Sequence, residues 1–172
     1  MSDDTDTTRP SKPRRARPPA SALSRAVGLL SRRDHSEKEL RRKLTQRGLE
    51  SAEVDGALQR LQSLSLQSDD RFAENLLRSR AQSGHGPLHV RAELAQHGLD
   101  SARIGALFDA QDVDWNACAL AFAQRRLNRH SDDPRREAQR LANALLRRGF
   151  NMDQVRHALR GVSDRADDDI LE

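Results

Sequence analysis

Apolar residues recur along this chain at helical spacing, separated by polar and charged positions. Leu23, Val27 and Leu30 make one stripe, Leu40 and Leu44 another, and Phe72 and Leu76 a third. Apolar side chains three or four positions apart share a helix face, so each stripe predicts an amphipathic helix that buries that face. The pattern also repeats at a period near 50. The segments Leu44-Thr45-Gln46-Arg47-Gly48-Leu49, Leu94-Ala95-Gln96-His97-Gly98-Leu99 and Leu145-Leu146-Arg147-Arg148-Gly149-Phe150 place their glycines 50 and 51 residues apart. Leu stands four positions before each glycine. One position after it comes Leu49, Leu99 or Phe150, six after it Val54, Ile104 or Val155, and ten after it Leu58, Phe108 or Leu159. Agreement at these aligned positions in three copies identifies an internal repeat.

Each junction reads as helix, glycine stop, helix. Gly48, Gly98 and Gly149 can take the left-handed conformation that closes a helix without a Cβ penalty, while the apolar residue beyond folds back onto the last turn. Ser51, Ser101 and Asn151 are expected to cap the helices that follow. Upstream, Ser36-Glu37-Lys38-Glu39 reads as a capping box, with Ser36 and Glu39 satisfying each other's end of the first turn. A further helix opens every repeat, over about 21–33, 68–82 and 114–129, and Asp133-Pro134 marks another start, where proline's missing N–H does no harm. The expected fold is all-α: three tandem three-helix repeats over 21–66, 67–113 and 114–163, forming an elongated, curved helical array. One such unit is marginal alone, so neighbours are expected to bury surface against each other.

Composition agrees. Tyr is absent, Trp occurs once and aromatic residues make up 3%, which disfavours sheets. Residues 1–20 combine Ser, Thr, Asp, Pro and Arg with almost no large apolar side chain and are expected to form a disordered arm, whose Arg14, Arg15 and Arg17 are either solvated or phosphate contacts. Residues 164–172 read as an acidic tail. The N-terminus lacks an apolar signal region, and no uncharged apolar run is long enough to span a bilayer, so a cytoplasmic protein without a membrane segment is expected. Cys118, the single cysteine, lies in an apolar stretch and reads as a spectator thiol.

Residues with chemistry to offer are scattered. There is no GxxxxGK loop and no GxGxxG after a strand, which argues against nucleotide hydrolysis and dinucleotide binding. His85 and His89 straddle a helix start at Gly86-Pro87, so they are not read as a metal pair. Asp69-Asp70 and Asp132-Asp133 fall where helix N-termini are expected, and capping accounts for them. No nucleophile has a base and an orienting group at recognisable spacing, so no catalytic residue, metal or cofactor is assigned. The glycine-linked helix pairs resemble a helix-turn-helix outline, but Glu50, Glu53 and Asp55 at the start of the second helix would meet phosphates with the wrong sign.

Charge carries more. Residues 21–163 hold 24 basic and 18 acidic side chains, hence +6, distributed as +3, -2 and +5 over the three repeats. With 27 Arg and 3 Lys, the excess is guanidinium, which pairs bidentately with phosphate or carboxylate. Solvated helix faces, with Arg favoured over Lys by coding bias, are the alternative. A partner is polyanionic or acidic on this reading, and is not otherwise identified by charge.

One stretch points further. Ser68-Asp69-Asp70-Arg71-Phe72-Ala73-Glu74, then Arg78-Ser79-Arg80, Gly84-His85-Gly86-Pro87, Val90-Arg91-Ala92-Glu93-Leu94 and Gly98 resemble the central signature of the RecX family. Leu30-Ser31-Arg32-Arg33-Asp34-His35-Ser36 with Glu39-Leu40 and Lys43-Leu44 is similar to the family's first repeat, and the likeness runs over about 22–162. It is looser in the third repeat, where Arg147-Arg148-Gly149-Phe150 and Val155-Arg156-Ala158-Leu159 carry it. His85 stands where the family has an aromatic residue, which puts any stacking role there in doubt.

The resemblance implies a monomeric regulator in DNA repair, recombination and SOS control. Such a regulator binds the RecA filament on single-stranded DNA, lodges in its groove and restrains ATP hydrolysis, strand exchange and filament growth. The expected partner contacts are Arg78, Arg80, Arg91, Arg125, Arg126, Arg147, Arg148, Arg156 and Arg160. Asp69, Asp70, Phe72, Gly48, Gly98 and Gly149 are expected to be structural, with Asp69 or Asp70 capping a helix and Phe72 filling a core. A stand-alone nucleic-acid-binding protein that needs no RecA is the competing reading.

Overall fold

The computed structural model describes residues 21–128, 131 and 133–168. Among them are nine helices and no strand: α1 Ala22–Leu30, α2 Glu37–Thr45, α3 Ser51–Ser63, α4 Asp69–Gln82, α5 Pro87–Gln96, α6 Ser101–Ala110, α7 Trp115–Arg126, α8 Pro134–Arg147 and α9 Met152–Asp168. The helices group by threes, and each group buries its own core. In unit 1, Ala26, Leu40, Leu44, Val54, Leu58 and Leu61 meet. Unit 2 brings together Ala73, Leu77, Val90, Leu94, Leu99 and Ile104. Unit 3 has the largest core, including Phe122, Leu141, Leu145, Phe150, Val155 and Val162. The aligned apolar positions thus land in equivalent places: Leu44, Leu94 and Leu145 pack beneath Val54, Ile104 and Val155.

Gly48, Gly98 and Gly149 have φ of +77°, +97° and +84°, as a helix stop requires. At the second and third junctions the closing pattern is complete. Leu99 N donates to Leu94 O and Gly98 N to Ala95 O, and Phe150 N donates to Leu145 O and Gly149 N to Leu146 O. The end of α3 uses the same motif without glycine, and Ser65 takes a left-handed φ of 55° there.

Several expectations need correction. Ser51 and Ser101 are first helical residues; the caps are Glu50, whose side chain makes no capping bond, and Asp100, which accepts from Arg103 N. Asn151 does cap α9, and it forms the reciprocal box with Gln154: each side chain accepts from the other's backbone N–H, both at 2.9 Å. Ser36 caps α2, whereas the Glu39 carboxylate turns to Arg33 and Lys43. Ser68, not Asp69 or Asp70, caps α4. Asp133 caps α8 ahead of Pro134 as expected. The acidic tail was expected from residue 164, but α9 continues to Asp168. The arm over 1–20, residues 169–172 and Asp132 of the paired Asp132-Asp133 lie outside the described residues. Among the described residues, no helix is long and apolar enough to cross a membrane.

Candidate partner-binding surface and the unit joints

The units meet through one repeated geometry: the N-terminus of the middle helix of one unit sits on the glycine junction of the next. Ser36 begins α2, and its Oγ lies 2.9 Å from His97 Nδ1, just before Gly98. Gly86 begins α5, and its N–H donates to Arg148 O at 2.8 Å, just before Gly149. Ser36 and Gly86 both stand eight positions before the aligned leucine, and His97 and Arg148 both stand one before the aligned glycine.

Joint 1–2 is made of side chains. Asp69 Oδ1 accepts from Glu37 N at 2.8 Å, so this carboxylate serves the first turn of α2 across the joint. Gln67 Nε2 donates to the same oxygen at 2.7 Å. Asp34 accepts from Arg71 Nε and from Asn75 Nδ2, at 3.3 and 2.6 Å. Phe72 is buried as expected, its ring 4.6 Å from that of His97. Asp70 pairs within unit 2, with Arg103 at 2.6 Å. On the unit 1 side the Glu39 carboxyl is nearly buried. Burial would raise its pKa, but Arg33, His35 and Lys43 bring it down to about 2. His35 Nδ1 lies 3.0 Å from it.

Joint 2–3 brings backbones together. Besides Gly86, Leu88 N donates to Gly149 O at 3.1 Å. A Cβ on Gly86 would lie 2.4 Å from Gly149 C, Gly149 O and Phe150 N, so only glycine permits this approach. A Cβ on Gly149 would lie 2.5 Å from His89 N. Trp115 packs against the cores of both units and stacks on Phe108 at 5.7 Å. His85 Nε2 lies 3.1 Å from Arg148 Nη1. A guanidinium only donates, so Nε2 accepts, the imidazole proton sits on Nδ1, and that N–H faces Ser83 Oγ at 3.1 Å. Burial first, then His89, Arg148 and Arg80, hold the His85 pKa below the usual histidine range, which agrees with a neutral ring.

The predicted contact arginines fall into two sets. Arg80 is committed to Glu93 through two bonds of 2.7 Å, Arg78 bonds to Asn75 and approaches Glu74, and Arg156 pairs with Asp153 at 3.1 Å. Arg91, Arg125, Arg126, Arg147, Arg148 and Arg160 have no carboxylate within 4.0 Å among the described residues. Arg91 lies 4.0 Å from the Phe108 ring centroid. Three of the others gather at the joint. The guanidinium carbons of Arg126 and Arg148 lie 4.9 and 5.5 Å from the Phe122 centroid. Arg125 Nη2 would be 3.4 Å from a Cβ on Gly84. Phe122 itself is 4% exposed and belongs to the core of unit 3.

This grouping was not foreseen from the sequence, nor were the roles of Ser36, Asp34, Gln67 and His97 in joint 1–2. The aligned repeat held one signal, since the residue before each junction glycine is Arg47, His97 or Arg148, always a nitrogen-bearing side chain. Cys118 is half-buried, and burial pushes its thiol up, as suits an inert side chain. No group of three metal-ligating side chains occurs among the described residues.

Comparison with known proteins gives a consistent outcome. Sequence models described as the first, second and third three-helix domains of RecX match residues 22–61, 68–106 and 112–159. "Regulatory protein RecX" of Stenotrophomonas maltophilia (strain K279a) is 46% identical over 162 residues, covering 93% of this chain and 97% of that protein. The protein of the same name from Xanthomonas campestris pv. campestris (strain B100) is 44% identical over 138 residues, covering 80% and 85%. Among solved structures, RecX from Lactobacillus salivarius superposes with a TM-score of 0.68 at 23% identity, covering 83% of this chain and 94% of that one, a likeness of fold.

Proposed function

This chain belongs to the RecX family of regulatory proteins, and on that footing we propose that it binds the RecA filament on single-stranded DNA and restrains ATP hydrolysis, strand exchange and filament growth. The observation that carries this reading is the set of guanidinium groups without internal carboxylates. Arg91, Arg125, Arg126, Arg147, Arg148 and Arg160 are available to a partner. Arg80 is not, because Glu93 takes its fork, and Arg78 and Arg156 must exchange an internal partner for an external one. Three helical units joined in series suit a partner that repeats along an axis. The protein contributes shape and charge, and hydrolysis remains the work of the filament.

Strand exchange by RecA, measured with rising amounts of this protein, is expected to fall at less than one copy per RecA subunit. Pelleted filaments are expected to carry the protein with them. Reversing charge at Arg147, Arg148 and Arg156 should weaken both effects while the helical circular dichroism stays unchanged. Unimpaired exchange together with absence from the pellet would overturn the proposal. Full inhibition by the folded triple variant would remove the last unit from the contact surface.

A further inference from the structure

Joint 2–3 holds more positive charge than its internal partners use. Arg80 and Arg140 sit close by, and each shows how a carboxylate is satisfied in this protein. Glu93 takes the fork of Arg80 in two bonds of 2.7 Å, and Glu137 takes that of Arg140 in bonds of 2.7 and 2.6 Å. One planar carboxylate absorbs one guanidinium. Arg125, Arg126 and Arg148 depart from that rule: the forks of Arg126 and Arg148 approach the buried Phe122 ring, Arg125 lies beside Gly84 at the same turn, and none of the three has a carboxylate within 4.0 Å among the described residues. Arg126 and Arg148 lie 4.9 and 5.5 Å from the same centroid, so their guanidinium carbons are no more than 10.4 Å apart. Arg125 and Arg126 are exposed and Arg148 is half-buried, so N–H groups remain open to an anion outside.

We infer that Arg125, Arg126 and Arg148 form an oxyanion site for consecutive phosphodiester groups of a single nucleic-acid strand, and that the site is complete only when unit 2 is docked on unit 3. The inference rests on the reading of these arginines as partner contacts and names the chemistry they meet. Three five-donor forks offer more N–H groups than one carboxylate can accept, whereas successive phosphates present several oxygens each along one line. Phe122 is covered and offers no face for base stacking, so recognition is of the backbone and independent of base sequence. Docking of unit 2 sets the geometry. His85 holds the Arg148 fork at 3.1 Å, Gly86 N holds the Arg148 carbonyl at 2.8 Å, and Gly84 lets the α4–α5 turn approach Phe122 and Arg125. Arg148 is thereby aimed by unit 2 although it belongs to unit 3.

The test is fluorescence anisotropy of a labelled short oligothymidylate with the full-length protein, without RecA, between about 50 and 200 mM salt. Each lost phosphate contact should lower the slope of log affinity against log salt by about 0.7, so Arg125→Gln with Arg126→Gln should lower it by about 1.4. Arg42→Gln with Arg47→Gln removes the same charge from exposed positions in unit 1 and should leave the slope as it is. His85→Leu should weaken binding several-fold at neutral pH with no change in formal charge. Polyglutamate of matched charge and inorganic phosphate should each displace the strand poorly. An equal loss of slope in both double variants, unchanged affinity of a folded His85→Leu protein, or displacement by polyglutamate as effective as by unlabelled oligothymidylate would each overturn the inference. Failure here is separable from failure of the proposed function. Variants that lose the salt slope but still inhibit RecA leave the phosphate site standing and remove it from regulation, and the reverse pattern removes the phosphate site alone.

Discussion

Joints 1–2 and 2–3 use equivalent positions of the repeat and opposite means. At the first, a serine reaches across with its hydroxyl and the surrounding bonds are made by Asp34, Gln67, Asp69, Arg71 and Asn75. At the second, the serine's counterpart is Gly86, and its missing side chain lets amide and carbonyl meet directly. Side-chain bonds can be lost one at a time, and each is worth about 1 kcal/mol. A backbone seam closed through glycine admits no partial version, because any Cβ drives the two chains apart. The first joint is therefore adjustable and the second fixed, which makes units 2 and 3 a single platform on which unit 1 is hung.

The largest effects should come from filling the seam. Gly86→Ala puts a methyl group 2.4 Å from three backbone atoms that cannot rotate away, and overpacking of this kind costs about 3 kcal/mol. At the equivalent position of joint 1–2, Ser36→Ala removes a helix cap and the His97 contact, for about 1 kcal/mol. Chemical denaturation of both variants measures the difference. Equal losses would mean that the backbone seam is no tighter than the side-chain joint.

The junction glycines sharpen the same contrast. Gly98→Val must hold a β-branched residue at φ +97°, but a Cβ there meets only the flexible Lys38 chain at 3.3 Å, so the cost is conformational, about 2 kcal/mol. Gly149→Val suffers the same φ and also a 2.5 Å approach to His89 N, and should lose more. Thermal melting orders the two. A Gly98→Val protein that melts like the wild type would show that this position tolerates a left-handed side chain.

The repeat and its cores were legible because they rest on short-range periodicity: Leu44, Leu94 and Leu145 with their glycines specify one local motif whatever surrounds it. Cap positions were less so. Asp100 and Ser101 are adjacent and both can cap, and the choice of Asp100 is a matter of one residue of helix phase. The ion pairs of Arg78 with Glu74 and Arg156 with Asp153 have the four- and three-residue spacings that a sequence displays, so both were legible as pairs within one helix. The joints lay beyond reach. Ser36 and His97 are 61 residues apart, and His85 and Arg148 are 63 apart. Those separations become contacts only through the way whole units stack, and Asp69 shows the consequence: a carboxylate placed to cap its own helix serves instead the helix of the preceding unit.

The smallest predicted effect separates the joints by pH. Each carries a histidine whose pKa is lowered, with burial as the largest cause. A lowered value means that the folded protein binds fewer protons than the unfolded chain below about pH 6.5, so each ring contributes stability that is present above that pH and is lost as pH falls through the folded value. The surroundings then differ. Around His97, the carboxylates of Glu39, Glu93 and Asp69 favour a proton against Arg33, which offsets part of the burial cost of protonating that ring. Around His85, His89, Arg148 and Arg80 disfavour it against Glu93, and a protonated ring would also lose its role as acceptor for Arg148. Acidification from about pH 7.5 to about pH 5.5 should therefore loosen joint 2–3 more than joint 1–2, because histidine is the side chain that titrates in that window. Hydrogen exchange at the Gly86 and Leu88 amides, which close the seam, should accelerate over that range more than exchange at the Glu37 amide, which Asp69 holds in joint 1–2. His85→Gln keeps a polar group that does not titrate and should flatten the response at the seam, while His97→Gln should leave the seam response intact. If the two variants flattened the seam equally, the joints would be acting as one unit and the division into a fixed platform and a hung first unit would fail.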